Sequence, residues 1–317
     1  MINKIGIIGG GNIGGVLVHE IVSRRLARNV GLVDVKPPEF AKGKCLDIAE
    51  GTPVIARDVN CEGSKTYEVL EGADFVINTA GVPRTMRADG TFPSREELLG
   101  INLKITDQVA EGIRKYAPKA FIISIANPLD AIVYRLFKQL KFDPKRIMGM
   151  AGVLDSARYK YFIAREANVS VENVEAVVLG GHGDTMVPIR SACRVYGLPV
   201  EQFVTAAKLE KLEQRTRGAG GEVVSLLGSG SAFVSPAVSA LDMVESIAFD
   251  KRKITPVAAY LQGEYGIKGL FVGVPVILGK GGIEDIIKIK LTPEEKKALA
   301  NSAAAVKKTV AEVDKMK

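Results

Sequence analysis

A regular alternation of short apolar runs with segments of helical spacing constrains the fold most. The apolar runs are rich in Ile and Val and occupy residues 4–8, 30–35, 74–79 and 120–125. Between them, residues 13–28 and 96–116 place apolar side chains at three- and four-residue intervals. Such runs are typical of strands that are buried on both faces of a parallel sheet. The alternation therefore predicts a doubly wound α/β domain.

After about residue 150 the pattern becomes less regular and indicates a mixed α+β half. We expect helices, a short strand and a β-rich stretch at 155–167, 200–216, 236–248, 174–179 and 257–290. Gly281 and Gly282 suit a hairpin turn, and a last helix is expected at 292–316, with Thr292 as N-cap and Pro293 in its first turn. No low-complexity linker is present, so the 317 residues predict two domains that share a cleft, 1–150 and 151–317.

The composition excludes several classes of protein. The chain is 47% hydrophobic and 25% charged, and the net charge of +7 is spread along it. No basic block indicates a nucleic-acid partner, and no apolar segment is long enough for a membrane span or a signal peptide. Three cysteines lie far apart, at 45, 61 and 193. We therefore expect neither a disulfide framework nor a metal site, and a cytoplasmic location.

A glycine-rich turn follows the first apolar run. Gly9, Gly11 and Gly14 have the G-x-G-x-x-G spacing, directly after a predicted strand and directly before a predicted helix. Glycines there allow a tight turn and close approach of a pyrophosphate to the backbone. Asp34 stands twenty positions after Gly14, where a carboxylate accepts from a ribose hydroxyl and repels a 2′-phosphate. The pattern predicts NAD as cofactor; the alternative is a plain glycine turn beside a loop-capping Asp34.

His182 is the candidate acid/base. It stands in LGGHGDT, a glycine-rich turn after an apolar run, whereas His19 falls inside a predicted helix and is interpreted as structural. Asp155 and Arg158 are three positions apart and share one face of a helix. Asp155 could stabilise the imidazole, and Arg158 could bind a substrate carboxylate with two donors. The alternative for Asp155 and Arg158 is a solvated intrahelical ion pair.

A third cluster, residues 78–99, leaves a strand, crosses a loop with Pro and Gly and enters a helix. It carries Arg84, Arg87 and Arg95, which could close over an anionic substrate and polarise its carbonyl. The alternative is a surface loop with solvated arginines. Asn127 ends the fourth apolar run and could donate to the same carbonyl or carboxylate.

At this point the chain resembles a known family. The segments GGGNIGG, NTAGVPR, SREELLGIN, ANPLD, GVLDSARYKYF and GGHGDT, together with Asp34, are similar in order and spacing to the lactate/malate dehydrogenase superfamily. The resemblance covers nearly all of the chain and is closest to the lactate-dehydrogenase-like malate dehydrogenases. It implies a Rossmann domain followed by a mixed α+β catalytic domain, NAD as cofactor, and a homotetramer or homodimer.

The resemblance also implies roles for individual residues. His182 would be the acid/base, Asp155 its partner, Arg158 the ligand of the C1 carboxylate, and Arg95 the group that polarises the C2 carbonyl. Asn127 would contact substrate and cofactor, Asn102 would lie near the nicotinamide, and Ser231 would line the substrate pocket. The cofactor contacts it implies are Gly9, Gly10, Gly11, Asn12, Ile13, Gly14, Asp34, Thr79, Ala80, Gly81, Asn102, Ile125, Ala126 and Asn127.

The choice of substrate depends on Arg84. It occupies the position that in malate-type members pairs with the second carboxylate of oxaloacetate, an interaction of roughly 1.5–3 kcal/mol. The resemblance therefore implies a malate dehydrogenase of the tricarboxylic acid cycle. Arg84 and Arg95 are eleven positions apart, however, further than in most malate-type relatives. A lactate-specific branch has a similarly long loop with a bulky aromatic residue, a part that Phe92 could take, while Arg87 could replace or assist Arg84.

Two alternative functions from other classes of protein remain open beside the dehydrogenase. An NAD-requiring glycoside hydrolase would use a cysteine and a histidine with a metal, but none of the cysteines neighbours His182 in the sequence. A binding module that senses a dinucleotide would need no acid/base at all.

Overall fold

The computed structural model describes residues 2–37, 39–83, 94–228 and 230–316. The predicted specificity residues Arg84, Arg87 and Phe92 lie outside these ranges. Within them no helix is long and apolar enough to cross a membrane.

The centre of the fold is a nine-stranded sheet in the order β14-β13-β12-β6-β5-β4-β1-β2-β3. The strands from β3 to β6 pair in parallel, in the doubly wound order 3-2-1-4-5-6, whereas β12, β13 and β14 continue the sheet antiparallel. The bounds are β1 Ile2–Ile8, β2 Ala27–Val33, β3 Asn60–Ser64, β4 Phe75–Asn78, β5 Phe121–Ser124, β6 Ile147–Gly149, β12 Lys253–Gln262, β13 Lys268–Gly279 and β14 Gly282–Ile286. The predicted Rossmann arrangement is confirmed.

Eight helices and five short strands complete the described part of the chain. The helices are α1 Asn12–Arg24, α2 Phe40–Gly51, α3 Arg95–Tyr116, α4 Leu129–Leu140, α5 Gly152–Glu166, α6 Ala206–Leu227, α7 Val234–Ala248 and α8 Pro293–Lys315. The short strands are β7 Val174–Glu175, β8 Val178–Leu179, β9 Val187–Pro188, β10 Arg194–Val195 and β11 Leu198–Pro199. They form one three-stranded and one two-stranded sheet.

The apolar runs explain the core. Side chains of β1, β4 and β5 are buried on both faces of the sheet because helices cover both sides. One hydrophobic cluster extends from Ile5 and Ile77 through to Val257 and Phe271, so it spans both halves of the chain. The mixed α/β architecture that the sequence predicts is therefore confirmed.

Several predicted boundaries are wrong. The helix expected at 13–28 ends at Arg24, because Arg25 adopts a left-handed conformation and β2 begins at Ala27. The run 174–179 is not one strand: it divides into β7 and β8, which belong to different sheets. The helix expected at 200–216 begins at Ala206 and continues to Leu227.

Four elements were not predicted from the sequence: α2, α4, β3 and β6. The edge strand β3 has the sequence NCEGS and contains no apolar run. It pairs with β2 through its backbone, and an edge strand needs fewer apolar side chains than a central one. The periodicity that found the central strands therefore had no signal at this edge.

The expectation that the cysteines are unpaired is wrong for two of them. Cys45 on α2 and Cys61 on β3 form a disulfide, with their Cα atoms 5.3 Å apart. They lie 16 positions apart in the sequence, but α2 packs against β3 and brings them together. Cys193 is free and buried.

The start of α8 matches the prediction from Thr292 and Pro293 and gives a test of local stability. The Thr292 hydroxyl accepts from the Glu295 backbone N–H at 3.2 Å, and the Glu295 carboxylate accepts from the Thr292 N–H at 2.9 Å. We expect Thr292→Ala to lower the free energy of unfolding in urea by about 1 kcal/mol, because the helix loses its cap.

Thr205 provides the matched control, because it is the N-cap residue of α6 but makes no side-chain cap hydrogen bond. Thr205→Ala should change the unfolding free energy by less than half as much at the same protein concentration. Equal losses in the two variants would contradict the capping assignment.

Candidate functional site

The site lies at the carboxyl edge of the parallel strands. In the order 3-2-1-4-5-6 the connections reverse direction between β1 and β4, which leaves a crevice at that edge. Gly9 follows β1, Thr79 follows β4 and Ile125 follows β5. The glycine turn and the segments after β4 and β5 are thus neighbours in the crevice.

Two glycines of the turn, Gly9 and Gly14, are packed so tightly that they have no room for a side chain. A Cβ on Gly14 would lie 1.9 Å from the Gly9 carbonyl oxygen, and Gly9 has a φ of +100°. The Thr79 hydroxyl donates to that same Gly9 oxygen at 3.0 Å. Gly11 faces open space, and no side chain caps the α1 N-terminus that begins there. This bare helix end with room in front of it fits the pyrophosphate of a dinucleotide.

Asp34 follows β2 and stands beside the turn. Its carboxylate accepts from the Gly10 N–H at 2.6 Å and from the Lys36 N–H at 2.9 Å. Each oxygen keeps a lone pair for a ribose hydroxyl, as NAD requires. Lys44 donates to the Gly11 carbonyl at 3.2 Å. Burial lowers the pKa of Lys44, against the opposing charge of Asp34.

The other residues predicted to contact the cofactor lie on the same edge. Asn12 and Ile13 form the first turn of α1. The segment 79–81 leaves β4, and the segment 125–127 leaves β5. The structure thus places all of these segments around one crevice.

Asn102 joins two of these segments from its buried position on α3. Its Oδ1 accepts from the Val82 N–H at 2.7 Å, and its Nδ2 donates to the carbonyls of Val82 at 3.2 Å and Asn127 at 3.0 Å. Both amide protons are therefore used within the protein. Asn102 fixes Val82 relative to Asn127.

His182 and Asp155 form the centre of the site. His182 Nδ1 lies 2.8 Å from Asp155 Oδ2, and the Asp155 side chain is almost completely buried. Burial acts to lower the pKa of His182, but Asp155 and then Asp130 outweigh it and raise the pKa above its usual value. Because Nδ1 is taken by Asp155, Nε2 is the nitrogen available to a substrate.

Arg158 shares the same carboxylate. Its Nη1 lies 3.5 Å from Asp155 Oδ1, and 14% of its side chain is exposed. Burial lowers the pKa of Arg158, although Asp155 opposes this. Gly220 of α6 faces the guanidinium, and a Cβ there would lie 3.8 Å from Nη2. A fixed cation with space beside it suits an anionic carboxylate.

Asp130 is a site residue that the sequence analysis missed, although it stands in the quoted segment ANPLD. Its Oδ2 accepts from the His182 backbone N–H at 3.0 Å. The pattern Asn-Pro-Leu-Asp after a strand was the available signal, but the partner of Asp130 lies 52 residues away. No local spacing could indicate that contact.

Two further predicted residues, Arg95 and Ser231, are exposed. Arg95 is the first residue of α3 and is exposed, next to the N-cap Ser94. Ser231 is exposed between α6 and α7. In the described part of the chain neither bonds to His182 or Asp155. Their predicted roles stay predictions, as do those of Arg84, Arg87 and Phe92.

The described residues give no support to the glycoside hydrolase alternative. No group of three or more His, Cys, Asp or Glu side chains among them could hold a metal ion. Cys193 donates to the Ile189 carbonyl, and burial raises the pKa of its thiol to about 12. A thiol of this kind is not reactive near neutral pH.

Together these groups can move a proton beside a bound anion. His182 offers an imidazole whose charged form is favoured by buried carboxylates, and Arg158 offers a cation a short distance away. An acid/base, an anion ligand and a dinucleotide crevice on one sheet edge are the parts that oxidation of a hydroxy acid requires.

Two family models match this chain, one in each half. The family model described as lactate/malate dehydrogenase, NAD binding domain, matches residues 3–149, and the model of the alpha/beta C-terminal domain of the same family matches residues 152–317.

Solved structures of whole enzymes are similar over the full chain. Malate dehydrogenase from Salinibacter ruber is 40% identical, with a TM-score of 0.92 over 99% of this chain and 98% of that chain. Malate dehydrogenase from Picrophilus torridus is 38% identical, with a TM-score of 0.93 over 100% and 98%. Lactate dehydrogenase from Cryptosporidium parvum, in complex with lactic acid and NAD, is 38% identical, with a TM-score of 0.93 over 99% and 98%.

These matches confirm the resemblance that the sequence motifs carry. Because the two family models and the solved relatives span nearly the whole length, this chain belongs to the lactate/malate dehydrogenase family.

Proposed function

We propose that the protein is an NAD-dependent malate dehydrogenase that interconverts (S)-malate and oxaloacetate. The observation that carries the proposal is the cluster of His182, Asp155 and Arg158 beside a dinucleotide crevice. The similarity to two malate dehydrogenases supports it. In this proposal residues 1–150 bind the cofactor and residues 151–317 supply His182, Asp155 and Arg158.

The proton moves through His182. In the oxidation of malate, Nε2 takes the proton of the C2 hydroxyl while Asp155 holds Nδ1 and stabilises the imidazolium that forms. When bound, NAD supplies the acceptor for the hydride that leaves C2. In the reverse direction the protonated imidazole donates to the carbonyl oxygen. The raised pKa of His182 keeps this protonated form available near neutral pH.

The substrate is held by fixed positive charge. Arg158 binds the C1 carboxylate through its planar guanidinium, and Asn127 donates to the reacting oxygen. Arg95 polarises the C2 carbonyl from the loop side, and Ser231 lines the pocket. Asn102 keeps Asn127 in place because its side-chain amide donates to the backbone carbonyl of Asn127.

Arg84 selects the substrate by pairing with the second carboxylate of oxaloacetate. Lactate dehydrogenase activity is the second candidate, and two observations favour it: the long stretch between Arg84 and Arg95, and the similarity to a lactate dehydrogenase that holds lactic acid. In that case Phe92 takes the place of Arg84, or Arg87 assists it.

We also propose a homotetramer, with a homodimer as the alternative, in the cytoplasm. Large apolar side chains such as Val54, Tyr196 and Leu226 are exposed on the single chain and suit surfaces that are buried between subunits. Sedimentation of the purified protein tests this assembly.

Substrate choice is tested by following NADH oxidation with oxaloacetate and with pyruvate. We expect a higher kcat/KM with oxaloacetate, and Arg84→Gln should lower that value roughly 10- to 100-fold while changing the value for pyruvate little, because one charged hydrogen bond is lost. Arg28→Gln, on the exposed side of β2, is the control. Equal losses on both substrates would rule out Arg84 as the discriminator, and a preference for pyruvate would establish the second candidate.

The role of His182 is tested by His182→Ala. Turnover should fall at least about 1,000-fold, because the variant has no acid/base, while the Kd for NADH from fluorescence stays within about twofold. The matched control is His19→Ala on α1, which should keep full activity because His19 is exposed and lies outside the site. If NADH binding disappears together with turnover, the assigned role is wrong.

The pH dependence follows from the charges around His182. Oxidation of malate needs the neutral imidazole and is lost as the pH falls through the raised pKa of His182; reduction of oxaloacetate needs the charged form and is lost as the pH rises through it. Asp155→Asn removes the nearest carboxylate, so both limbs should move to lower pH by about one unit. Unmoved limbs in kcat/KM profiles would contradict the pairing of Asp155 with His182.

A further inference from the structure

We propose that Asp130 is a positioning residue that holds the main chain of His182 and adds a second, partly buried carboxylate to the charge that favours its imidazolium. This role rests on the dehydrogenase function proposed above, in which His182 exchanges the proton. It goes beyond that function because the proposed role of Asp130 is exerted on His182 and involves no contact with substrate or cofactor.

Asp130 contacts the loop that carries His182. Asp130 lies in the first turn of α4, and its Oδ2 accepts from the His182 N–H at 3.0 Å. A Cβ on Gly181 would lie 3.1 Å from the same oxygen, so a residue without a side chain lets the carboxylate approach. From the other side, Ser302 on α8 accepts from the Gly181 N–H at 2.9 Å. Two helices therefore fix consecutive peptide groups of this loop.

The two oxygens of the Asp130 carboxyl group have different surroundings. Asp130 Oδ1 is shielded from solvent and has no hydrogen-bond partner among the described residues. An unpaired buried oxygen lowers the stability of the folded chain. The hydrogen bond to His182 alone would be made equally well by an amide oxygen. The carboxyl group thus provides something beyond that bond, and its charge is the remaining difference.

More negative than positive groups surround the imidazole of His182. Asp155 and Arg158 face His182 from α5, and Asp130 faces it from α4, while α8 contributes the neutral Ser302. Asp184, on the same loop, is exposed to solvent. The buried carboxylate of Asp155 and the partly buried one of Asp130, against one guanidinium, favour the imidazolium. Without the charge of Asp130 the balance would be even.

Asp130 is close in the chain to Asn127, the predicted substrate contact. Asp130 follows Asn127 by three positions, and the carbonyl of Asn127 is held by Asn102. The segment 127–130 therefore connects the predicted substrate contact of Asn127 with the backbone of His182 through one short piece of chain. Asp130 couples the position of the acid/base to the position of the substrate.

The charge of Asp130 is itself dependent on pH. Burial raises the pKa of Asp130 to about 6, and the positive charge of His182 opposes this rise. At neutral pH the carboxyl group is ionised and supports the imidazolium. Below about pH 6 it becomes protonated, and its support of His182 decreases.

Asp130→Asn tests the proposal, because it keeps the shape and an acceptor oxygen but removes the charge. We expect both limbs, of malate oxidation and of oxaloacetate reduction, to move to lower pH by about half a unit or more, with kcat reduced roughly 10-fold. The Kd for NADH should stay within about twofold, since the glycine turn is untouched. Asp107→Asn is the control: Asp107 on α3 pairs with Arg135 at 2.7 Å, outside the site, and its loss should leave both limbs in place.

The outcomes separate the two proposals. If the wild-type chain turns over neither oxaloacetate nor pyruvate, the proposed function fails. If it is active and the folded Asp130→Asn variant, judged by circular dichroism and NADH binding, keeps both limbs where they were, the role of Asp130 is overturned. Should that variant not fold, Asp130→Glu and Asp130→Gln are compared, because they differ only in charge. The limbs of the Gln variant should lie at lower pH, and equal limbs would overturn the proposal.

Discussion

The buried carboxylate of Asp155 is the interaction on which the rest of the site depends. One of its oxygens is bonded to the imidazole of His182, and the other lies near the guanidinium of Arg158. Because it sits on α5 with almost no exposure to water, these two groups are what compensates its charge among the residues that the structure describes. The distance between the proton-transfer group and the anion ligand is therefore set by one side chain, and removing it would take away the carboxylate that both the imidazole and the guanidinium contact.

The continuous sheet keeps this cluster next to the cofactor crevice. Gly273 of β13 exchanges two backbone hydrogen bonds with Gly180, which stands two positions before His182. Strands β12 and β13 belong to the same sheet as β1, the strand that leads into the glycine turn. A Cβ on Gly273 would lie 2.6 Å from the Gly180 oxygen, so this contact requires a glycine. The His182 loop is thus attached to the same rigid element as Gly9. Helices α4 and α8 then fix its remaining freedom through Asp130 and Ser302.

Much of this arrangement could be predicted because it is encoded locally. The central strands are continuous apolar runs, the glycine spacing marks the turn, and Asp155 and Arg158 lie one helical turn apart. The contact between His182 and Asp155 spans 27 positions of the sequence. Residue chemistry offered it as one interpretation of Asp155, beside a solvated intrahelical ion pair, and the family resemblance then implied it. The polar edge strand β3, the end of α1 at Arg24 and the disulfide of Cys45 with Cys61 were missed because each depends on packing.

By itself, the sequence determined the class of fold, the dinucleotide turn and the chemical types at the site, because strand burial, glycine conformation and side-chain chemistry are properties of short segments. Only the tertiary structure decided how distant segments meet. It brought Asp130 to the backbone of His182 across 52 residues and used Asn102 to join the segments after β4 and β5. The reason is physical: buried polar groups must find partners, and which partner is within reach depends on the packing of helices against the sheet.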